Sequence, residues 1–336
     1  MEMPPAVWPI IHAASKIPRL ERLRLINFEY GPALQMTLAH FVMPSLKELE
    51  LRGYGLSFNN KPGARWHHVA QSTFPDLDHI FSKHFYNGAV TALNLTDPSV
   101  PPAVTKRLLQ WPAHLARLSI RSLTCSPYVE LDTVDAMQQL LDTQRRSLQH
   151  VVVGMIHGET KGIPNFSHFQ HLQTLQLSKH NLLAETPYEA ALKLSSPLLR
   201  HLSISSCNED QHEAIRNVFA TDQICWLEDF ASHITAKGTA SNRLDTIFVI
   251  FYPGVILGDF DEVEDQTWPW EYLEQAVQAL SRYNVTLTYT EPFYTKQMWN
   301  DILNKRRERL NAFNDPERIE SYTTMGAMTA IRRSRW

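Results

Sequence analysis

The chain has 336 residues, 43% of them hydrophobic and 20% charged, with 32 Lys and Arg against 35 Asp and Glu for a formal net charge of −3. That much apolar material excludes a globally disordered chain, and the charge balance excludes a generally basic nucleic-acid binder, though not a local basic patch. Cys125, Cys207 and Cys225 are too few and too scattered for a disulfide framework, which points to a reduced, intracellular setting, cytoplasmic or nuclear. Met1 to Ile17 lacks the basic start and apolar run of a secretory signal, and the longest apolar stretch, Ile247 to Leu257, is broken by Pro253. That stretch is far short of a membrane span, so no membrane partner is expected. In that setting the sequons at Asn94, Asn165 and Asn284 read as chance.

Residues 1–19 read as an N-terminal cap, with Trp8, Ile10, Ile11 and Ala14 on one side of a short helix. A six-residue pattern, L-x-x-L-x-L, then recurs. It runs Leu20-x-x-Leu23-x-Leu25, Leu46-x-x-Leu49-x-Leu51 and, more weakly, Val90-x-x-Leu93-x-Leu95. Leu115-x-x-Leu118-x-Ile120, Leu148-x-x-Val151-x-Val153 and Leu172-x-x-Leu175-x-Leu177 follow. Leu199-x-x-Leu202-x-Ile204 and Leu244-x-x-Ile247-x-Val249 come next, and Val285-x-Leu287 is a last partial copy. Starts at 20, 46, 90, 115, 148, 172, 199 and 244 give steps of 26, 44, 25, 33, 24, 27 and 45. Four of these seven steps lie within a repeat unit of 20–29 residues. Alternation puts the leucines on one face of a short strand, and one strand cannot bury that face alone. Stacked neighbours can, so the pattern predicts a parallel sheet growing by one strand per repeat.

Parallel strands need crossovers, and helical stripes lie between the copies. Val129 to Arg146 carries Leu131, Val134, Met137, Leu140 and Leu141; Ala190, Leu192 and Leu194 mark a second helix, and Ala214, Ile215, Val218 and Phe219 a third. Trp270 to Tyr283 carries Trp270, Leu273, Val277 and Leu280 on one face, and Trp299 to Phe313 carries Ile302, Leu303, Leu310 and Phe313. The repeat region spans 20–290, with insertions near 53–89 and 206–242 and a hidden strand expected around Leu77 and Ile80. Residues 291–336 read as a basic helical tail. From Lys296 onward it has nine basic and five acidic residues, and Ser321 to Trp336 is expected to pack poorly.

The phrase P-x-L-x-x-L-x-L, at Pro18 to Leu25, Pro44 to Leu51 and Pro197 to Ile204, resembles the irregular leucine-rich repeats of F-box proteins, especially fungal ones. The resemblance covers roughly Leu20 to Leu287. It implies an α/β leucine-rich-repeat solenoid with a curved parallel sheet inside and helices and loops on the convex side. It also implies non-enzymatic protein recognition, as in the substrate-binding part of an F-box-type ubiquitin ligase component. Any cullin-ligase adaptor would then be held by an F-box upstream of this sequence, since the first repeat begins by Leu20. The alternatives are a scaffold without a ubiquitin role, or a hydrolase or transferase with its site in the insertions. The chain departs from the family in two respects: no F-box is legible in it, and the Asn or Cys expected eight residues after the first leucine is present only as Cys207. Phe28, Tyr54, Leu123, Ile156, His180 and Tyr252 hold the other positions, so the turns must satisfy their backbone groups in other ways.

The residues between the leucines point away from the core. They give a candidate partner-binding face of Arg22, Arg24, Glu48, Glu50, Arg52, Arg117, Ser119, Arg121, His150, Thr174, Gln176, His201, Ser203 and Phe248, with Val152 and Thr246 beside them. Its early half is charged and its late half neutral to apolar, a mixture that suits a protein partner and a monomeric binder. Trp268 and Trp270, after the acidic stretch Asp259 to Asp265, are candidate loop anchors. His67, His68, His79 and His84 match no zinc spacing, and the acidic stretch lacks the Gly and closing Glu of a calcium loop, so no metal or cofactor is expected. Lys305 to Arg309 reads as the solvated face of the tail helix. No G-x-S-x-G, G-x-x-x-x-G-K-S/T or G-x-G-x-x-G occurs.

Overall fold

Each copy of the leucine phrase forms one strand. The computed structural model describes residues 13–14, 16–26, 43–52, 88–96, 102–121, 133–156, 162–206, 221–236, 244–251 and 268–313. Nine strands lie in these segments: β1 Arg22–Ile26, β2 Glu48–Arg52, β3 Ala92–Thr96, β4 Arg117–Arg121, β5 His150–Val153, β6 Thr174–Ser178, β7 His201–Ser206, β8 Thr246–Phe251 and β9 Thr286–Tyr289. They form a single all-parallel sheet in chain order, from β1 at one edge to β9 at the other. This is an α/β architecture compatible with a solenoid-like stack. The hidden strand expected around Leu77 and Ile80 lies outside the described residues.

Two local devices repeat along the sheet. The first explains the proline. Leu20, Leu46 and Leu199 each donate a backbone N–H to the residue three before them, Ile17, Met43 and Ser196. In all three turns a proline holds the second position, where its fixed φ suits the turn. Leu172 makes the same turn onto Phe169 without a proline. The second device is a shared acceptor at the mouth of strands β2 to β8. The Glu21 carbonyl accepts from the N–H groups of both Lys47 and Glu48, and the Lys47 carbonyl from Thr91 and Ala92. Thr91, Ala116, Gln149, Gln173 and Arg200 repeat the arrangement, each on the two residues that enter the next strand. Register is therefore set twice, by the turn before the strand and by its first hydrogen bonds.

Seven helices lie among the described residues: α1 Pro102–Gln110, α2 Val134–Asp142, α3 Lys179–Leu182, α4 Pro187–Lys193, α5 Thr221–Ala236, α6 Pro269–Ser281 and α7 Lys296–Phe313. Helices α2, α4, α6 and α7 fall where the hydrophobic stripes predict them. Leu192, expected on the buried stripe of α4, is 39% exposed, while Ala190 and Ala191 face the core. Helix α5 occupies part of the stretch expected as an insertion, and it buries Ile224, Leu227, Phe230, Ala231 and Ile234 against its neighbours α4 and α6. Ala214 to Phe219, the expected third helix, lie outside the described residues.

The leucines of the strands and the apolar faces of the helices form one continuous core. Leu49, Leu93, Leu118, Val151, Leu175, Leu202 and Ile247 lie in one register row across β2 to β8, and none is more than 2% exposed. At the last repeat the register puts Asn284 where the first leucine should stand. Asn284 adopts a left-handed φ of 56°, a conformation that asparagine tolerates better than leucine does. Val285 next to it takes the buried place.

Candidate functional site

Alternation sends every second residue to the other side of the sheet, where all but the buried Thr96 are exposed or half-buried. The register places all fourteen predicted face residues there in rows. The first row runs Arg22, Glu48, Ala92, Arg117, His150, Thr174, His201, Thr246 and Thr286. The second runs Arg24, Glu50, Asn94, Ser119, Val152, Gln176, Ser203, Phe248 and Thr288. A shorter third row aligns Ile26, Arg52, Thr96 and Arg121. Asn94 and Thr96 join the expected residues by the same alternation, although Val90 to Leu95 is the faintest copy of the phrase.

The charged half is largely matched within itself. Glu48 holds Arg22 at 2.5 Å and, reaching past Ala92, Arg117 at 2.5 Å; Glu50 holds Arg24 at 2.9 Å. The small side chain at Ala92 leaves room for Glu48 and Arg117 to meet across two strands. Five arginines face two glutamates in these rows, and the two that stand outside the pairs are Arg52 and Arg121. Three buried polar atoms nearby lack a hydrogen-bond partner among the described residues: Asn94 Oδ1, Ser119 Oγ and Arg121 Nε. The middle of the face is polar and uncharged. His150 Nδ1 lies 3.1 Å from Thr174 Oγ1. Desolvation lowers the His150 pKa, and the neighbouring charges of Arg117 and His201 lower it further. At the far end Phe248 and Ile250 of β8 sit half-buried between the serines of β7 and the threonines of β9.

Behind the face, side chains satisfy backbone groups of neighbouring turns. Asn181, one place beyond the expected position, is 2% exposed and is bonded twice to Ile156 in the preceding turn. Its Oδ1 accepts from the Ile156 N–H at 2.9 Å, and its Nδ2 donates to the Ile156 carbonyl at 3.0 Å. Gln138 makes the same paired bonds to Asn165, and Thr290 to Phe251. Gln144 donates to the carbonyls of Leu109 and Pro112 and accepts from the N–H of Leu115. Each of these clasps ties one repeat to the next.

Trp270 is corrected by the structure. It is fully buried in α6, 5.5 Å from the Phe251 ring and 6.3 Å from Trp299, so it belongs to the core and is not an exposed anchor. Trp268 is half-buried, with its ring 4.5 Å from that of Trp270. Their apolar surface is spent on closing the β9 end of the sheet. The four histidines at 67–84 and the acidic stretch at 259–265 lie outside the described residues. Among the described residues no group of three or more His, Cys, Asp or Glu could hold a metal ion, and no helix is long and apolar enough to cross a membrane. Burial pushes Lys179, the first residue of α3, down to about 8.

The chain matches no protein-family model, and no curated protein matches its sequence.

Proposed function

We propose that this chain is a leucine-rich-repeat solenoid that recognises a protein partner, without catalysis, on the outer face of its parallel sheet. The observation that carries the reading is the face itself. Nine strands in unbroken register display charged, polar and apolar side chains in successive zones, and a mixed surface of that kind suits protein recognition. The proline turn and the shared acceptor at the mouths of β2 to β8 support the repeat architecture, because both recur at the spacing of the leucine phrase. The resemblance to F-box proteins supports a narrower role as the substrate-binding part of a ubiquitin ligase component.

Affinity capture from a cell extract with mass spectrometry tests both levels. The wild-type chain is compared with Gln176→Trp/Phe248→Glu on the face and with Tyr188→Glu, an exposed side chain of α4, after matched melting curves. A partner lost with the face variant and kept with Tyr188→Glu is the expected result. Retention of every partner by the face variant refutes recognition by this surface. Cullin-ligase adaptors among the captured proteins would support the ubiquitin role, and a partner set without them would favour an independent scaffold.

A further inference from the structure

We propose that the β2–β4 end of the outer face is a docking site for an acidic, extended peptide segment of a protein partner, held by Arg52 and Arg121. The inference rests on the protein-recognition reading above and names the chemistry of its partner. Arg52 and Arg121 stand on either side of Thr96 in one register row, two strands apart, a span of roughly 9.5 Å at the usual strand spacing. Neither arginine is ion-paired among the described residues, whereas Arg22, Arg24 and Arg117 are held by Glu48 and Glu50. The paired residues, three arginines on two glutamates, leave one positive charge on the face, and the two unpaired guanidinium groups add two more. This patch is cationic in a chain whose overall charge is −3, so its sign is local and not a reflection of composition.

The second observation concerns what the groups lack. Arg121 Nε and Ser119 Oγ have hydrogens to donate, and Asn94 Oδ1 is an acceptor. All three atoms are buried and unpartnered among the described residues. Buried polar atoms in native proteins are almost always satisfied; these three are closed to solvent as the side chains stand, so a docked segment reaches them only when the Arg121 side chain swings outward. The set needs both acceptors and a donor. A carboxylate or a peptide carbonyl fills the first need, and a peptide N–H fills the second. A fully deprotonated anion such as sulfate offers only acceptors. Acidic side chains two residues apart on an extended peptide stand about 7 Å from one another, within reach of two long guanidinium side chains. Arginine suits the task because its planar fork binds a carboxylate through two parallel hydrogen bonds.

The test is fluorescence anisotropy with labelled hexaglutamate on the whole chain, in low salt. Three proteins are compared: wild type, Arg52→Gln/Arg121→Gln, and Gln176→Trp/Ser203→Trp, which blocks the neutral half of the same face. Circular dichroism first establishes that all three melt alike. Should the double Gln variant fail to fold, Arg52→Lys/Arg121→Lys keeps the charge and removes the forks, and it takes its place. The expected result is saturable binding to wild type that weakens at least about tenfold in the arginine variant, is retained by the Trp variant, and weakens with added salt. Binding lost only in the Trp variant overturns this site and leaves recognition by the outer face standing. Binding unchanged in both variants, or absent from wild type, overturns the site. Equal competition by inorganic phosphate, or tighter arginine-dependent binding of oligothymidine, replaces the peptide by a simple anion or a nucleic acid and overturns the proposal.

Discussion

Asn181 does in one place what a regular ladder would do in every repeat. Its amide satisfies both the N–H and the carbonyl of Ile156, and the site is closed to water. Asn181→Leu preserves approximate volume and removes both partners, so Ile156 is left with two orphaned groups. We expect a loss of about 1–3 kcal/mol, read as a lower urea midpoint with an unchanged slope. An unchanged midpoint would mean that another group takes over both bonds. His150 offers a second check at this scale. Its pKa in the fold lies below the ordinary value of 6.5 because burial disfavours the imidazolium and Arg117 and His201 repel it. As pH falls through 6.5 the unfolded chain binds the proton first, so the fold loses stability until the pH passes below the lowered folded value. His150→Gln should therefore flatten the decline in melting temperature between neutral and mildly acidic pH, relative to wild type. Identical pH profiles for the two proteins would contradict the burial argument.

A strand in this sheet is five residues with two jobs, and the leucine phrase assigns them. Leu175 lies at the centre of the buried row, fully covered, between Val151 and Leu202. Leu175→Asp places an unpaired carboxylate there and should abolish the central structure, seen as lost cooperative melting by circular dichroism. A folded variant with normal melting would show that the register is displaced by one residue. Glu48 lies on the opposite side of its strand and should behave in the opposite way. Its pairs with Arg22 and Arg117 are solvent-exposed, so Glu48→Ala should cost less than about 1 kcal/mol by urea titration. It should also tighten hexaglutamate binding, because two further arginines lose their counter-charge. The same two-sided logic explains what the sequence could convey. Leucines at fixed spacing announced the strands, their register and the rows of the outer face, since period two is a local property. It could not convey which charges on that face cancel, because the Glu48–Arg117 pair joins residues 69 apart and depends on the small side chain of Ala92 between them. Helix α5 is not legible as a crossover, because its apolar residues answer to α4 and α6, not to a leucine phrase. The burial of Trp270 is not legible either, because it depends on Phe251 and Trp299, each remote in the chain.

At the scale of the molecule, each strand touches only the strands before and after it. In such an array stability is a sum of unit and interface contributions, and a local injury stays local. The two ends therefore matter more than their size suggests, because an end strand has one neighbour instead of two. The β9 end is closed by α6 and by the rings of Trp268, Trp270, Tyr294 and Trp299, and Trp270 Nε1 donates to the Thr290 carbonyl beyond β9 at 3.4 Å. Trp270→Ala empties the largest fully buried side chain from that closure, at a cost of about 3–5 kcal/mol. If the array behaves as a one-dimensional stack, hydrogen exchange followed by mass spectrometry should find β8, β9 and α6 losing protection in this variant while β4 to β6 stay near wild type. If protection instead falls evenly from β1 to β9, the sheet unfolds as one cooperative unit, and the solenoid reading fails with it. Acid-peptide binding gives an independent check in the same sample. The Arg52–Arg121 site lies at least five strands from β9, so a stack predicts unchanged hexaglutamate affinity in Trp270→Ala, whereas a single cooperative unit predicts that binding and β9 protection are lost together.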